Sequence, residues 1–153
     1  MLTKWDIRYL KLAREISSWS KDGTKIGAVA IRNKRVLVTG YNGFPEKISD
    51  TPERYQNREL KYKLVIHAEM NCVLQAVQHG IDLTGATFYI YGLPVCDNCA
   101  KHIVASGVTR VVCCYDQSRQ HSPQWIEGVK FVDELFTEAG IGLEIYDLPE
   151  LLQ

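Results

Sequence analysis

The motif His67-Ala68-Glu69 stands twenty-nine positions (67 to 96) before a second motif, Cys96-Asp97-Asn98-Cys99. One imidazole and two thiolates are ligands that zinc favours. A catalytic zinc site has three protein ligands and keeps its fourth tetrahedral position open, whereas a structural site closes it with a fourth side chain. The spacing shows no obvious fourth ligand here. The two motifs therefore predict a zinc site formed by His67, Cys96 and Cys99 that is open to water.

A structural zinc site is the alternative reading of the same residues. Cys72, His79 or His102 could supply the fourth ligand that such a site needs. His102 is the best of the three because it lies one turn beyond Cys99 on the same face of a predicted helix. It would, however, lie too far along that helix to meet a metal at the helix start.

Both motifs lie at the starts of predicted helices, with His67 opening one and Cys96 opening the next. The partial positive charge of a helix N-terminus favours thiolate over thiol, and a nearby cation lowers a cysteine pKa further. Glu69 is two residues from His67 and can reach both water at the open position and a substrate nitrogen. We therefore predict that Glu69 carries protons during hydrolysis.

The surrounding sequence alternates helical and extended patterns. Steps of three and four between apolar residues predict helices, and short apolar runs bounded by turn residues predict strands. The predicted helices span 4–19, 67–80, 96–106 and 125–139, and the predicted strands span 26–31, 36–39, 86–91, 108–114 and 141–146. Residues 46–63 are predicted to form a long loop with one helical turn at most, and 115–124 a second loop. This order predicts a three-layer α/β/α sandwich with a mixed five-stranded sheet.

Composition limits the classes of protein that fit. A chain of 153 residues is predicted to form a single domain, 1–153, and its 18 basic residues balance its 18 acidic ones. This neutral balance gives no long-range positive field to attract nucleic acid or an anionic membrane. We therefore expect a small-molecule substrate, with neither nucleic acid nor membrane as a partner.

The sequence also indicates a cytoplasmic setting. Its N-terminus shows no export signal, and its longest aliphatic run, 26–31, is too short to span a bilayer. Five cysteines are an odd set, and the adjacent pair Cys113 and Cys114 is a poor start for a disulfide framework. With Cys72, these two are expected to be small buried residues.

Several segments together resemble the cytidine and deoxycytidylate deaminase superfamily, and in order and spacing its deoxycytidylate (dCMP) branch. They are 20–28 (SKDGTKIGA), 40–45 (GYNGFP), Asp50 and 67–71 (HAEMN). The resemblance covers roughly residues 5–115, and an H-x-E motif followed by P-C-x-x-C is the signature of zinc deaminases that act on nucleobases. It implies a cytidine deaminase-like fold and the zinc-dependent hydrolysis of dCMP to dUMP and ammonia, which supplies thymidylate synthesis.

The resemblance also implies roles for substrate-binding residues. Asn42 would contact the sugar or base, the amide of Ala68 the pyrimidine carbonyl, and a basic residue, Lys25 or Arg119, the 5′-phosphate. Purely structural roles are the alternatives, since Asn42 is also a common turn residue and both basic residues could be solvated surface charges.

The sequence departs from the family pattern in three places. Val95 replaces the proline that directly precedes the first cysteine, but Pro94 lies at the position whose backbone carbonyl would accept the substrate amine, and proline keeps that carbonyl. Residues 43–66 contain no cysteine or histidine for the second, structural zinc of some relatives, so we predict one zinc per chain. The loop after Cys114 lacks the expected run of tyrosines.

Oligomeric state and regulation are predicted only from the family resemblance. It implies a homo-oligomer, with a hexamer favoured, activation by dCTP with Mg²⁺, and inhibition by dTTP. Within the enzyme class, the alternatives are deaminases of cytidine, guanine, a modified pyrimidine nucleotide or tRNA adenosine. Outside it, the chain could be a nucleotide-binding regulatory subunit with a structural zinc.

Overall fold

The computed structural model of the protein describes residues 1–119 and 121–152, with the side chain of residue 152 left out. Seven helices and five strands follow one another along these residues. In chain order they are α1 (Lys4–Ser17), β1 (Gly27–Arg32), β2 (Arg35–Tyr41), α2 (Pro52–Gln56), α3 (Arg58–Leu64), α4 (Ala68–His79), β3 (Thr87–Tyr91), α5 (Asp97–Ala105), β4 (Arg110–Tyr115), α6 (Pro123–Ala139), β5 (Gly142–Asp147) and α7 (Leu148–Leu152).

The five strands form one mixed sheet in the order β2-β1-β3-β4-β5. Strand β1 pairs antiparallel with both β2 and β3, whereas β3, β4 and β5 are parallel to one another. The parallel strands are joined by helices α5 and α6, as crossover connections require. The predicted mixed five-stranded sheet is confirmed.

Helices cover both faces of this sheet. Helix α1 packs on β1 and β3 with α7 beside it, while α4, α5 and α6 lie on the other face. The alternation along β1 shows the two layers of core: Ala28 and Ala30 belong to the larger cluster, and Val29 and Ile31 to the cluster under α1. Successive side chains of a strand point to opposite faces, so this short run lines both cores at once. The three-layer sandwich is confirmed.

The parallel pairing of β3 and β4 determines where the second motif, residues 96–99, lies in the fold. The carboxyl ends of β3 and β4 lie side by side, with Tyr91 opposite Cys114. From there the chain turns at Gly92, whose φ of 119° suits glycine and whose missing Cβ leaves room for the Lys25 carbonyl. Cys96 follows at the start of α5. In open α/β sheets this edge is where ligands bind.

The prediction of a long loop over 46–63 is wrong. The segment contains α2 and α3, neither of which has a buried residue. Thr51 caps α2 by accepting a hydrogen bond from the Arg54 amide, and Asn57 caps α3 through the Leu60 amide. Because side-chain caps rather than an apolar face define these helices, a search for hydrophobic periodicity misses them.

The other differences are smaller. Residues 32–35 were predicted to join the first two strands, but the turn consists of Asn33 and Lys34 alone, both with positive φ (53° and 61°), as a tight two-residue hairpin requires. The short helix α7 was not predicted. Among the described residues, no helix is both long enough and apolar enough to cross a bilayer.

Candidate metal centre and active site

The fold brings the three predicted metal ligands together. The Nδ1 atom of His67 lies 3.3 Å from Sγ of Cys96 and 3.4 Å from Sγ of Cys99. All three ligand atoms lie within 4.8 Å of one another. His67 ends the segment that leads into α4, and the cysteines belong to the first turn of α5, so the packing of α4 beside α5 makes the cluster.

These separations fit a tetrahedral zinc ion. Bonds of about 2.3 Å to sulfur and about 2.0 Å to nitrogen place the two atoms about 3.5 Å apart at a tetrahedral angle. The observed distances of 3.3 and 3.4 Å are close to that value. The donor set of two thiols and one imidazole is also one that zinc prefers.

The local backbone favours thiolates at this site. Cys96 is the N-cap residue of α5, and its sulfur accepts a hydrogen bond from the Cys99 amide at 3.4 Å. A hydrogen bond from the Cys99 thiol, with further help from His67, lowers the pKa of Cys96 to about 4, although burial opposes the shift. The same bond raises the pKa of Cys99, because its proton is shared with Cys96. Since thiolates are the metal-binding form, a bound cation would replace that proton.

Glu69 lies in the first turn of α4 and is only 3% exposed. Burial raises the pKa of its carboxyl group to about 7, while its own backbone amide, His67 and the Cys99 thiol act in the opposite direction. The carboxyl group therefore lies beside the ligand cluster in a water-poor setting. A group with a pKa near neutrality can both accept and donate protons at physiological pH.

Comparison with known proteins agrees with this geometry. Residues 3–115 match the family model described as the cytidine and deoxycytidylate deaminase zinc-binding region. The chain belongs to this deaminase family. The matched range contains His67, Glu69 and both cysteines of the cluster.

Two relatives and one solved structure extend the comparison. A protein of Aliivibrio fischeri named an uncharacterized deaminase in the luxG 3′ region is 34% identical, with 92% of each chain covered. The deoxycytidylate deaminase of Enterobacteria phage T2 is 30% identical over 93% of this chain and 91% of its own. The crystal structure of dCMP deaminase from cyanophage S-TIM5 with dCMP and dUMP has a TM-score of 0.70 at 20% identity, covering 95% of this chain and 98% of that one. The structural match shows the same fold.

In this member of the deaminase family, the three candidates for a fourth ligand lie elsewhere. The Cys72 thiol is fully buried and donates to the Ala28 carbonyl at 3.4 Å. His79 is at the opposite end of α4 from His67. The Nδ1 atom of His102 lies 2.7 Å from the Asn98 carbonyl oxygen within α5. Among the described residues, His67, Cys96 and Cys99 are the group whose ligand atoms converge.

Asn42 is buried, and its carboxamide binds the backbone of the preceding loop. Its Oδ1 accepts a hydrogen bond from the Ile26 amide at 2.9 Å, and its Nδ2 donates to the Thr24 carbonyl at 2.7 Å. Its own carbonyl accepts a hydrogen bond from the Ser20 hydroxyl at 2.7 Å. The side chain therefore fixes the loop 20–26, and its predicted contact with the sugar or base stays a prediction.

The two backbone groups predicted to hold the base each lie within two residues of a metal ligand in the sequence. Ala68 is the first residue of α4, so its amide is one of the N-terminal groups without a partner inside the helix. Pro94 is half-buried and lies two residues before Cys96. Both flank the ligand cluster along the chain, and their roles toward a substrate remain predictions.

The two residues predicted to bind the phosphate, Lys25 and Arg119, lie in different loops and have different neighbours. Lys25 is exposed, and its ammonium group donates a hydrogen bond to the Ser20 carbonyl in the loop that Asn42 holds. Arg119 is exposed in the loop between β4 and α6, where its positive charge helps, after two hydrogen bonds from Ser118, to lower the pKa of Asp116. No hydrogen bond within the described residues joins Arg119 to the ligand cluster.

Two contacts made by helices α2 and α3 were not predicted from the sequence. Asp22 is buried and forms an ion pair with Lys61 of α3. Phe44 stacks on Tyr55 of α2, with ring centroids 4.2 Å apart and planes within 12°. Lys61 and Tyr55 lie in the segment 46–63, which the sequence predicts to be a loop, so their contacts could not be predicted. Asp22 does lie within the 20–28 motif, which was the one available signal.

Proposed function

We propose that this chain catalyses the zinc-dependent hydrolytic deamination of dCMP to dUMP and ammonia. The observation that carries the proposal is the buried carboxyl group of Glu69, with a pKa raised to about 7, beside an open three-ligand cluster. A structural zinc site has no use for a proton carrier. The named deoxycytidylate deaminases among its relatives support the choice of substrate.

The residues support a balanced reaction in which one water is consumed and one ammonia released. When bound, zinc supplies the Lewis acidity that makes water nucleophilic near neutral pH. Glu69 takes a proton from the attacking water as a bond forms to C4 of the cytosine, and delivers it to N3. Glu69 then moves the remaining proton of the new C4 hydroxyl group to the amino group, the C4–N4 bond breaks as the C4 carbonyl forms, and ammonia leaves. In this proposal the Pro94 carbonyl orients the amine and the Ala68 amide holds the pyrimidine carbonyl.

The substrate is best identified with a panel of free nucleotides. Purified protein is assayed for ammonia release from cytosine and adenine nucleosides and nucleotides at each level of phosphorylation. We expect the highest kcat/KM for dCMP. Tight nucleotide binding without ammonia from any substrate would support a regulatory subunit instead, and turnover of tRNA adenosine alone would place the chain in another branch.

The role of Glu69 is tested with Glu69→Gln. We expect this variant to keep its zinc and to lose at least about 100-fold in kcat, since general acid-base catalysis contributes about that much or more. Glu53→Gln, an exposed glutamate on α2, is the matched control and should keep full activity. Unchanged ammonia release by Glu69→Gln would remove this residue from the mechanism.

The wider part of the proposal concerns assembly, regulation and location. Family resemblance supports a homo-oligomer, with a hexamer favoured, that responds to dCTP with Mg²⁺ and to dTTP. The five free cysteines support a reducing, cytoplasmic setting. Size-exclusion chromatography with light scattering, and initial rates measured with and without dCTP, test the first two points.

A further inference from the structure

The ion pair between Lys61 and Asp22 joins two segments that border the metal ligands. Nζ of Lys61 lies 3.1 Å from Oδ1 of Asp22, and the two side chains are 20% and 6% exposed. The same carboxylate oxygen accepts the Thr24 amide at 3.1 Å. Lys61 is in the last turn of α3, six residues before His67, and Asp22 is in the loop 20–26.

This pair lies close to the candidate active site. The Ser20 hydroxyl accepts a hydrogen bond from the Asp22 amide and donates one to the Asn42 carbonyl. The next residue, Gly43, exchanges two backbone hydrogen bonds with Ile66, which directly precedes His67. Asp22 also adds to the raised pKa of Tyr55, which comes mainly from burial. The hydrogen bonds through Ser20 and Gly43 therefore connect the carboxylate of Asp22 to the segment that carries His67.

The pair of Lys61 and Asp22 is neutral as a unit, and the Lys61 ammonium group donates to Oδ1 of Asp22. Buried ion pairs contribute little net stability, because desolvation offsets their attraction. The ammonium group of Lys61 has three donors and its side chain is 20% exposed, so it can bind a second anion at the surface of the pair. Lys25 adds another ammonium group on the loop 20–26, where it donates to the Ser20 carbonyl, so Lys25, Lys61 and Asp22 together carry a net charge of +1.

We propose that Lys61 is a specificity-determining residue that binds the 5′-phosphate of the substrate, with Asp22 holding its ammonium group in position. This inference rests on the proposed function, since a nucleotide whose base lies at the metal ligands extends its phosphate away from them. Lysine is a common partner of phosphate and acts as a point charge. Neither residue was among the phosphate ligands predicted from the sequence.

The test compares two substrates that differ only in the phosphate. We measure kcat/KM for dCMP and for deoxycytidine in the parent protein and in Lys61→Met, and the dissociation constant of dUMP by calorimetry. We expect the ratio of the two kcat/KM values to fall about 10- to 100-fold, and dUMP to bind more weakly by a similar factor, as the loss of a charged hydrogen bond implies. Lys61→Arg should restore part of the ratio.

Two further variants separate recognition from folding. The double variant Asp22→Asn with Lys61→Met has no unpaired buried carboxylate, and it should lose as much dUMP affinity as Lys61→Met alone. Asp22→Asn alone should keep much of the dUMP affinity of the parent. Lys63→Met is the matched control on the same helix, since its ammonium group pairs with Glu59 and is 68% exposed. It should leave the ratio and dUMP binding unchanged.

Each outcome bears on one claim. A parent protein that releases no ammonia from dCMP would defeat the proposed function. A parent protein that does so, with Lys61→Met and the double variant binding dUMP as tightly as the parent, would overturn the inference. A loss of equal size for dCMP and deoxycytidine would show that Lys61 is merely structural and would overturn it as well.

Discussion

At the scale of single residues, Asn42 determines how the loop 20–26 is held against the sheet. Its carboxamide satisfies one backbone donor and one backbone acceptor, at Ile26 and Thr24. Aspartate could accept from the Ile26 amide but could not donate to the Thr24 carbonyl. The asparagine therefore has a positioning function whatever contact it makes with a substrate.

We predict that Asn42→Ala lowers the free energy of unfolding by about 2 kcal/mol, because it leaves buried backbone groups without partners. Urea unfolding followed by circular dichroism measures the change. Gln78→Ala, at an exposed position on α4, is the control and should change stability by less than about 0.5 kcal/mol. Equal stability of the two variants would show that the loop is held by other contacts.

At the scale of elements, the contact between β2 and α4 determines how closely α4, the helix that carries Glu69, packs on the sheet. A Cβ atom on Gly40 would lie 2.5 Å from the Ala68 carbonyl oxygen and 2.8 Å from the Cys72 amide nitrogen. Both neighbours are backbone atoms of α4, so they cannot move without the helix. Glycine at this position lets the strand approach the first turn of α4, which carries Glu69.

We predict that Gly40→Ala destabilises the protein by about 1–3 kcal/mol and lowers activity, because the added methyl group forces the strand and helix apart. Gly128→Ala is a matched control, since Gly128 is inside α6 with open space around its Cβ position. Alanine is favoured over glycine in helices, so this variant should gain about 0.5–1 kcal/mol. Thermal unfolding of both proteins measures the difference, and a Gly40→Ala protein as stable as the parent would contradict the close contact.

The elements also show which parts of the fold a sequence can predict. Helix α1 was predicted from the helical spacing of Trp5, Tyr9, Leu12, Ile16 and Trp19. Tyr9 and Ile16 are buried in the structure, whereas Trp5 and Trp19 are exposed. The ligand cluster was predicted because its residues lie at helix starts with distinctive spacing. Helices α2 and α3 bury no residue, so nothing in their apolar pattern marked them. The Lys61 ion pair depends on that segment and on a contact between residues 39 positions apart, which periodicity cannot show.

At the scale of the whole molecule, one polar network ties α1 to three strands. The buried carboxylate of Asp6 accepts hydrogen bonds from Tyr89 of β3 at 2.8 Å and from Arg110 of β4 at 3.0 Å. Arg110 also pairs with Glu144 of β5. Burial alone would raise the pKa of Asp6, but the bonds from Arg110, Thr3 and Tyr89 together hold it well below its ordinary value.

This network predicts a particular loss of stability in acid. A carboxyl group with a lower pKa in the folded state stabilises the protein above its unfolded pKa of about 4, and that contribution is lost as the pH falls below this value toward the folded pKa. We predict that Asp6→Asn destabilises the protein by about 3 kcal/mol at pH 7, as loss of a buried ionic partner does. The difference from the parent should shrink steadily below pH 4.

Urea unfolding at a series of pH values measures this effect. Asp133→Asn, an exposed aspartate on α6, is the control and should show little dependence. A difference between Asp6→Asn and the parent that stays constant from pH 7 to pH 3 would mean that the charge of Asp6 does not stabilise the fold.

The central claim is that His67, Cys96 and Cys99 hold one zinc ion with a fourth position free for solvent. Elemental analysis of the purified protein, combined with X-ray absorption at the zinc edge, tests it directly. We predict one zinc per chain, coordinated by two sulfurs, one imidazole nitrogen and one light atom from solvent. A third sulfur or a second imidazole at the metal, or full activity in a metal-free protein, would contradict the account.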